Sequence, residues 1–273
     1  MASIENIKII TKYIKLAVNY YDFIYDVISI LKCHPELATC FINDTGSTML
    51  HYICSKAYLF QTNFPAVLID SLIELGADIN TQNSNGNTPL MILVSNWRNN
   101  FAFKNTFNKI MEYSPNLNLV NKDKQSVLHL YYYNLGQNIY VMTKIIASGF
   151  DLSLVNDYKE TVLLSLMKIY SLGNSSNMRR TCISYLITSG VDVNAQDSEG
   201  NTALHYAVMS INSPYDIFLQ SNVRINIPNN EGHTVIDFCH KYRGKAVAKF
   251  MIKELKKTRK KQTIGEKIKK LVG

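Results

Sequence analysis

Asn83-Ser-Asn-Gly-Asn-Thr-Pro-Leu-Met91 and Asp197-Ser-Glu-Gly-Asn-Thr-Ala-Leu-His205 are the stretches that decide the fold. Each sets a polar turn with a glycine, Gly86 or Gly200, two residues ahead of a threonine, and an apolar run follows. The glycine supplies a turn conformation that a residue with a Cβ resists. The threonine can accept from an orphan backbone N–H and so start a helix. Pro89, directly after Thr88, fits a first helical position, where no N–H is required. Leu204, with Ala207 three residues on, begins the stripe that such a helix would bury.

The same phrase recurs in degraded form. It is legible in Asp44-Thr-Gly-Ser-Thr-Met-Leu-His51, Lys122-Asp-Lys-Gln-Ser-Val-Leu-His129, Asp157-Tyr-Lys-Glu-Thr-Val-Leu-Leu164 and Asn230-Glu-Gly-His-Thr-Val-Ile236. The anchoring hydroxyls are Thr48, Thr88, Ser126, Thr161, Thr202 and Thr234, spaced 40, 38, 35, 41 and 32 residues apart. Lys124 and Lys159 stand where the turn glycine belongs. A second phrase, as in Leu72-Ile-Glu-Leu-Gly-Ala-Asp-Ile-Asn80, carries a glycine after an apolar run; Gly76, Gly149 and Gly190 read as left-handed helix ends. One unit is therefore turn, helix, loop, helix. It cannot bury both apolar faces alone, so stacking is obligatory.

This pattern resembles the ankyrin repeat, whose turn followed by T-P-L-H-x-A is a specific signature. The resemblance covers about residues 43–251 and implies an all-α solenoid of about six repeats. It also implies that His51, His129 and His205 hydrogen-bond the neighbouring turn. Long stretches between first and second helices, with abundant Ile, Asn and Tyr, resemble the ankyrin-repeat proteins of poxviruses, which are host-range and immune-evasion factors. Many of those end in an F-box-like segment. No Leu-Pro-x-Glu-Ile-type segment follows Thr234, so ubiquitin-ligase recruitment is not carried over, and the chain reads as a member lacking that segment or as a truncated form.

Composition bounds the rest. The chain has 273 residues, 18% of them charged and 47% hydrophobic, which excludes a mostly disordered chain. No run of eighteen apolar residues and no secretory leader is present, so a soluble, intracellular protein with no membrane partner is expected. Five scattered cysteines, Cys33, Cys40, Cys54, Cys182 and Cys239, lack paired spacing and are expected to be buried and reduced rather than disulfide or zinc ligands. The formal charge of +8 is uneven. From Lys241 to Gly273 there are thirteen Lys or Arg against two Glu, while residues 1–240 carry 16 basic and 19 acidic side chains.

The two ends are expected to differ. Residues 1–42 read as a helical cap or a diverged repeat, with Ile7, Ile10, Ile14 and Ala17 on one face and Phe23, Ile24, Val27, Ile28 and Leu31 on another. An amphipathic membrane anchor is the competing reading. Residues 252–273 form a basic helix or tail centred on Lys256, Lys257, Arg259, Lys260 and Lys261. Three readings stay open for it: a solvated continuation of the last helix, a nuclear-import signal, or salt-dependent contact with nucleic acid or anionic membrane.

Common catalytic constellations are absent from the sequence, so no catalytic residue, metal or cofactor is expected. A monomeric binding module is expected instead. In the family, the residue after each motif histidine faces the concave side: Tyr52, Ile92, Leu130, Ser165 and Tyr206. Tyr131, Tyr132 and Tyr133 add aromatic area suited to an interface, although partial core packing, which the degenerate third repeat allows, suits two of the three at least as well. The hairpin tips would offer Asn83, Asn85, Asp123, Tyr158, Glu199 and Asn230. By resemblance the partner is a host signalling protein, of the NF-kappaB pathway in the sharpest form. The alternative is a nuclear or nucleic-acid-associated protein tethered by its tail, so the expected location is the host cytoplasm, extended to the nucleus by the 256–261 cluster.

Overall fold

The computed structural model describes residues 5, 8, 9, 11, 12, 23–60, 62–98, 100–133, 139–171, 177–210 and 214–257. Every regular element among them is helical, and the extended pairings are single bridges such as Phe41 with Thr48 and Gln196 with Thr202. Two units follow one another, Met1–Asp151 and Leu152–Gly273.

In the first unit the helices are α1 (Phe23–Cys33), α2 (Glu36–Thr39), α3 (Met49–Lys56), α4 (Phe64–Glu74), α5 (Pro89–Ser95), α6 (Phe101–Glu112), α7 (Val127–Tyr133) and α8 (Ile139–Ala147). First helices pack on first helices, α3 on α5 on α7, and second helices form their own layer, α1 on α4 on α6. Leu50, Ile53, Leu93 and Leu128 are buried in one layer, and Ile69, Leu72, Phe107 and Ile110 in the other. Each such side chain removed from water is worth about 1.5–3 kcal/mol, which no single unit could gather. α1 presents Val27 and Leu31, both fully buried, while Ile28 is half-buried. Ile7, Ile10, Ile14 and Ala17 lie outside the described residues, as do the side chains of Phe23 and Ile24.

The second unit repeats the plan with α9 (Val162–Ser171), α10 (Asn177–Thr188), α11 (Ala203–Met209), α12 (Tyr215–Phe218), α13 (Val235–Tyr242) and α14, residues 245–257. Its first-helix layer is α9 on α11 on α13. Cys239 of α13 meets Met251 of α14, with Gly244 in a left-handed conformation (φ 85°) closing the turn between them.

The turns explain the sequence phrase. Gly46, Gly86, Gly200 and Gly232 all have positive φ, and Lys124 (54°) and Lys159 (57°) adopt the same conformation without glycine's freedom. Two of the glycines are fixed by a close approach as well. A Cβ on Gly86 would lie 2.9 Å from Asn121 Cα, and one on Gly200 would lie 2.5 Å from Asn230 Oδ1. Among the described residues no helix is long and apolar enough to cross a membrane. The cysteines depart from the expectation of burial: Cys54, Cys182 and Cys239 are buried, but Cys40 is half-buried and Cys33 exposed. Cys33 ends α1, where the chain leaves the packed layer.

A candidate protein-binding groove

The hairpin tips are tied to one another within each unit. Ser84 N–H donates to the Thr45 carbonyl (2.8 Å) and Lys122 N–H to the Asn85 carbonyl (3.0 Å). In the second unit Ser198 N–H donates to the Tyr158 carbonyl (2.8 Å) and Asn230 N–H to the Glu199 carbonyl (3.0 Å). Below each tip, an Asx side chain at the turn's first position accepts from two backbone amides. Asn83 Oδ1 takes Asn85 N–H (3.0 Å) and Asn87 N–H (3.1 Å), and Asp197 Oδ1 takes Glu199 N–H (3.0 Å) and Asn201 N–H (2.9 Å). These bonds make each tip a rigid display surface.

The motif histidines are structural. His51 Nδ1 accepts from the Thr48 backbone (3.1 Å) and hydroxyl (2.9 Å), which leaves Nε2–H to donate to the Asn87 carbonyl (2.9 Å). His205 repeats this on Thr202 and reaches the His233 carbonyl (3.3 Å). His129 Nδ1 accepts from Ser126 N–H (3.2 Å) and hydroxyl (2.7 Å). At Thr234 an aspartate takes the histidine's place and the cap is rebuilt. Asp237 Oδ2 accepts from Thr234 N–H (2.8 Å) and Oγ1–H (2.7 Å), which holds its carboxyl below the usual range. Burial lowers the affinity of His51 and His205 for a proton.

Of the residues assigned to a concave face, Tyr52, Ile92 and Leu130 are half-buried on α3, α5 and α7. The Tyr52 hydroxyl is closed off from solvent without a hydrogen-bond partner among the described residues, and burial raises its pKa. Tyr131 and Tyr132 are corrected: both are buried core residues, 5.6 Å apart ring to ring, and the Tyr132 hydroxyl points at the Met142 sulfur. Tyr133's side chain lies outside the described residues. Ser165 is also buried, its hydroxyl donating to Glu160 Oε2 (3.0 Å). Tyr206 is 6% exposed and donates to Asp197 Oδ2 (2.6 Å), so it is a floor residue. Burial, then this bond, raises its pKa.

The tips fare differently. Asn85, Asp123, Tyr158, Glu199 and Asn230 are exposed, Tyr158 at 60%. Asn83 is half-buried because its side chain builds its own turn. Lys256 and Lys257 are exposed, with Lys257 paired to Glu254 (2.7 Å), whereas Arg259, Lys260 and Lys261 lie outside the described residues.

A groove of about 920 Å³ opens in the second unit, between the last two tips and their first helices. Glu199, Glu231 and Asp237 supply its acid groups, and Tyr206, Phe238 and Tyr242 its aromatic ones. Beside it Glu160, 2% exposed, meets Lys168 Nζ at 2.9 Å. Burial alone would raise its pKa, but hydrogen bonds from Lys168, Asn156 and Ser165 together bring it below the usual carboxylate value. Lys168 also lies 5.7 Å from the Tyr158 ring centre. The sequence reading missed Glu160, Glu231, Phe238 and Tyr242. Glu160 alone carried a signal, an acid at the place where Asn87 and Asn201 precede their threonines.

Nucleophilic chemistry finds little support in the thiols: burial pushes Cys182 and Cys239 up to about 11 and Cys54 higher still. Among the described residues no group of three or more His, Cys, Asp or Glu side chains could hold a metal.

The ankyrin-repeats family, in three copies, matches residues 174–262. Ankyrin repeat protein B19 of Vaccinia virus (strain Western Reserve) is 26% identical over 208 residues, 70% of this chain and 29% of that protein. An ankyrin repeat protein of Acanthamoeba polyphaga mimivirus is 34% identical over 87 residues, 32% of this chain and 19% of the other. The chain thus spans less than a third of the length of either viral relative. Among solved structures, an ankyrin repeat domain from Acinetobacter baumannii AYE superposes with a TM-score of 0.61 at 18% identity, covering 75% of this chain and 96% of that one. Six capped turns and tips bonded to their neighbours within each unit give the described residues an ankyrin-repeat fold, and the chain is similar to the ankyrin-repeat proteins of poxviruses.

Proposed function

We propose that the chain is a non-enzymatic protein-interaction module that binds a host signalling protein and antagonises innate-immune signalling, with the NF-kappaB pathway as the sharpest form. The observation that carries the reading is the open groove of the second unit, rimmed by exposed tip residues on a backbone fixed by tip-to-tip hydrogen bonds. A rigid, partly aromatic surface binds with little ordering cost. The host setting draws on the similarity to the Vaccinia protein over 70% of this chain, the immune reading on the resemblance to poxvirus ankyrin-repeat proteins, and fold alone names no partner. A monomer acting in the host cytoplasm completes the proposal.

Affinity capture of the full chain from transfected cells, read by mass spectrometry at low and high salt, tests it. A defined protein retained at high salt supports the module. A second reading draws on exposed Lys256 and Lys257 and the basic residues that follow them in sequence, namely tethering to nucleic acid or nuclear import. It predicts that replacing Lys256, Lys257, Arg259, Lys260 and Lys261 with glutamate abolishes capture, and that capture falls steeply with salt.

A further inference from the structure

We infer that the groove of the second unit takes a lysine- or arginine-rich linear segment of a partner protein, an inference that rests on the interaction-module reading above. The charges point that way. Among the described residues, Glu199, Glu231 and Asp237 line the groove against Lys241 as the one lysine or arginine, with His233 and His240 beside them, and a fourth carboxylate, Asp197, accepts from the Tyr206 hydroxyl. Asp237 is held ionised by its two bonds from Thr234. Glu199 is fixed by Asn201 Nδ2 (3.1 Å) and Glu231 by His233 (3.2 Å), so the acid groups are positioned before any ligand arrives.

The aromatic wall fits the same cargo. Lys241 Nζ already lies 5.2 Å from the centre of the Tyr242 ring, and the Tyr242 ring stands 5.8 Å from that of Phe238. A cation over such a face gains attraction from the ring, and aliphatic stems of Lys and Arg cover aromatic carbon. A small molecule is the poorer occupant. The groove's volume is at the upper end for ligand sites, yet Glu199, Glu231 and Tyr242 on its walls are exposed, so little of a compact ligand would be buried. An extended peptide can run across and contact both tips. An acidic segment would meet carboxylates of its own sign.

The test is fluorescence anisotropy of the full chain with a labelled peptide of about twelve residues alternating Arg or Lys with Leu, beside its glutamate counterpart, at about 50 and 200 mM NaCl. The basic peptide is expected to bind, more weakly at the higher salt, and the acidic one to fail. Glu199→Gln with Glu231→Gln is expected to weaken binding about tenfold with an unchanged thermal melt, and Tyr242→Ala about fivefold, while Asp26→Asn at an exposed position of α1 changes nothing. Equal affinity of the Glu199→Gln, Glu231→Gln chain overturns the inference. A rise in affinity when Arg259, Lys260 and Lys261 become glutamate assigns the groove to the chain's own tail, and also overturns it. In cell capture, a partner retained by the Glu199→Gln, Glu231→Gln chain overturns this inference and leaves the module standing. Capture of no partner by any chain overturns the module reading, while the peptide result still decides the groove.

Discussion

The imidazole of His51 bridges two repeats: its Nδ1 accepts from the cap residue Thr48 while its Nε2–H donates to the carbonyl of Asn87, 2.9 Å away and one repeat later. A helix cap and a repeat interface therefore share one ring. Both bonds need the neutral tautomer, because Nδ1 must keep its lone pair.

The consequence is acid sensitivity. Burial lowers the folded-state pKa of His51 and His205 below the ordinary 6.5. On unfolding each ring regains its ordinary proton affinity, so stability is full above about pH 6.5 and is lost as pH falls toward the folded-state value. Urea unfolding followed by circular dichroism should give a lower midpoint at pH 5.5 than at pH 7.5. His51→Ala should cost about 1–3 kcal/mol at pH 7.5 by stranding the Asn87 carbonyl and the Thr48 amide. It should also reduce the pH dependence. A variant as pH-sensitive as the parent would show that His51 does not carry the effect.

Glycine and lysine in equivalent turns should respond in opposite directions. Gly200 has φ 77° and would push a Cβ to within 2.6 Å of the Asn230 amide nitrogen, so Gly200→Ala should destabilise by about 2 kcal/mol or more. Lys159 holds φ 57° with a side chain, so Lys159→Gly removes a left-handed penalty of about 1–2 kcal/mol against glycine's greater entropy loss, and should leave a net gain below about 1 kcal/mol. Thermal melts of the two single variants check both signs.

The turns were legible because each obeys a local rule that survives alone: a hydroxyl cap, a left-handed residue, a histidine three positions on. Lys124 and Lys159 could be placed in the turn from spacing, and their positive φ shows backbone geometry overriding residue preference. The surface was harder to read. Helix α7 buries Val127, Leu128, Tyr131 and Tyr132 and leaves Leu130 half-exposed. A first helix is packed against a neighbouring first helix and against its own partner helix, so its buried arc is wider than one amphipathic stripe. That arc took Tyr131, Tyr132 and Ser165 away from the face assigned to them. The groove depended on pairings from separate repeats, such as Asn229 with Asn201, which no local spacing announces.

The Glu160–Lys168 pair should matter more than a surface ion pair. Glu160 is nearly fully buried, whereas Lys168 keeps 39% of its side chain exposed. Lys168→Met leaves the carboxylate its hydrogen bonds from Asn156 and Ser165, and should cost about 1–3 kcal/mol, discounted from a fully buried pair for solvent at Lys168. Because the folded-state pKa of Glu160 lies below its ordinary 4.5, its contribution is present above that value and fades as pH falls through the folded-state pKa. A double-mutant cycle with Glu160→Gln at pH 7 and pH 4 should show a coupling at the first pH that shrinks at the second. Additive costs at pH 7 would show that the pair is not coupled.

Asn194 offers a way to loosen one repeat junction while leaving the groove-side tip contacts in place. Its Oδ1 accepts from Arg224 N–H (2.7 Å) and its Nδ2 donates to the Asn222 carbonyl (3.1 Å), joining the end of one repeat to the loop of the next. Asn80 and Asn118 make the equivalent bond to Asn116 N–H (2.7 Å) and Asp151 N–H (2.8 Å) in the first unit. Asn194→Ala removes both bonds at an exposed site, so water can satisfy the freed groups and the global cost should stay near 1 kcal/mol. The local effect should be larger than the global one, because opening free energies differ from segment to segment. Hydrogen exchange followed by mass spectrometry should show the Arg224 amide exchanging about five to tenfold faster. The Ser198 and Asn230 amides, bonded to the Tyr158 and Glu199 carbonyls, should keep their protection. Equal acceleration at all three would mean that the unit opens as one block and that the asparagine bonds stabilise it only as a whole.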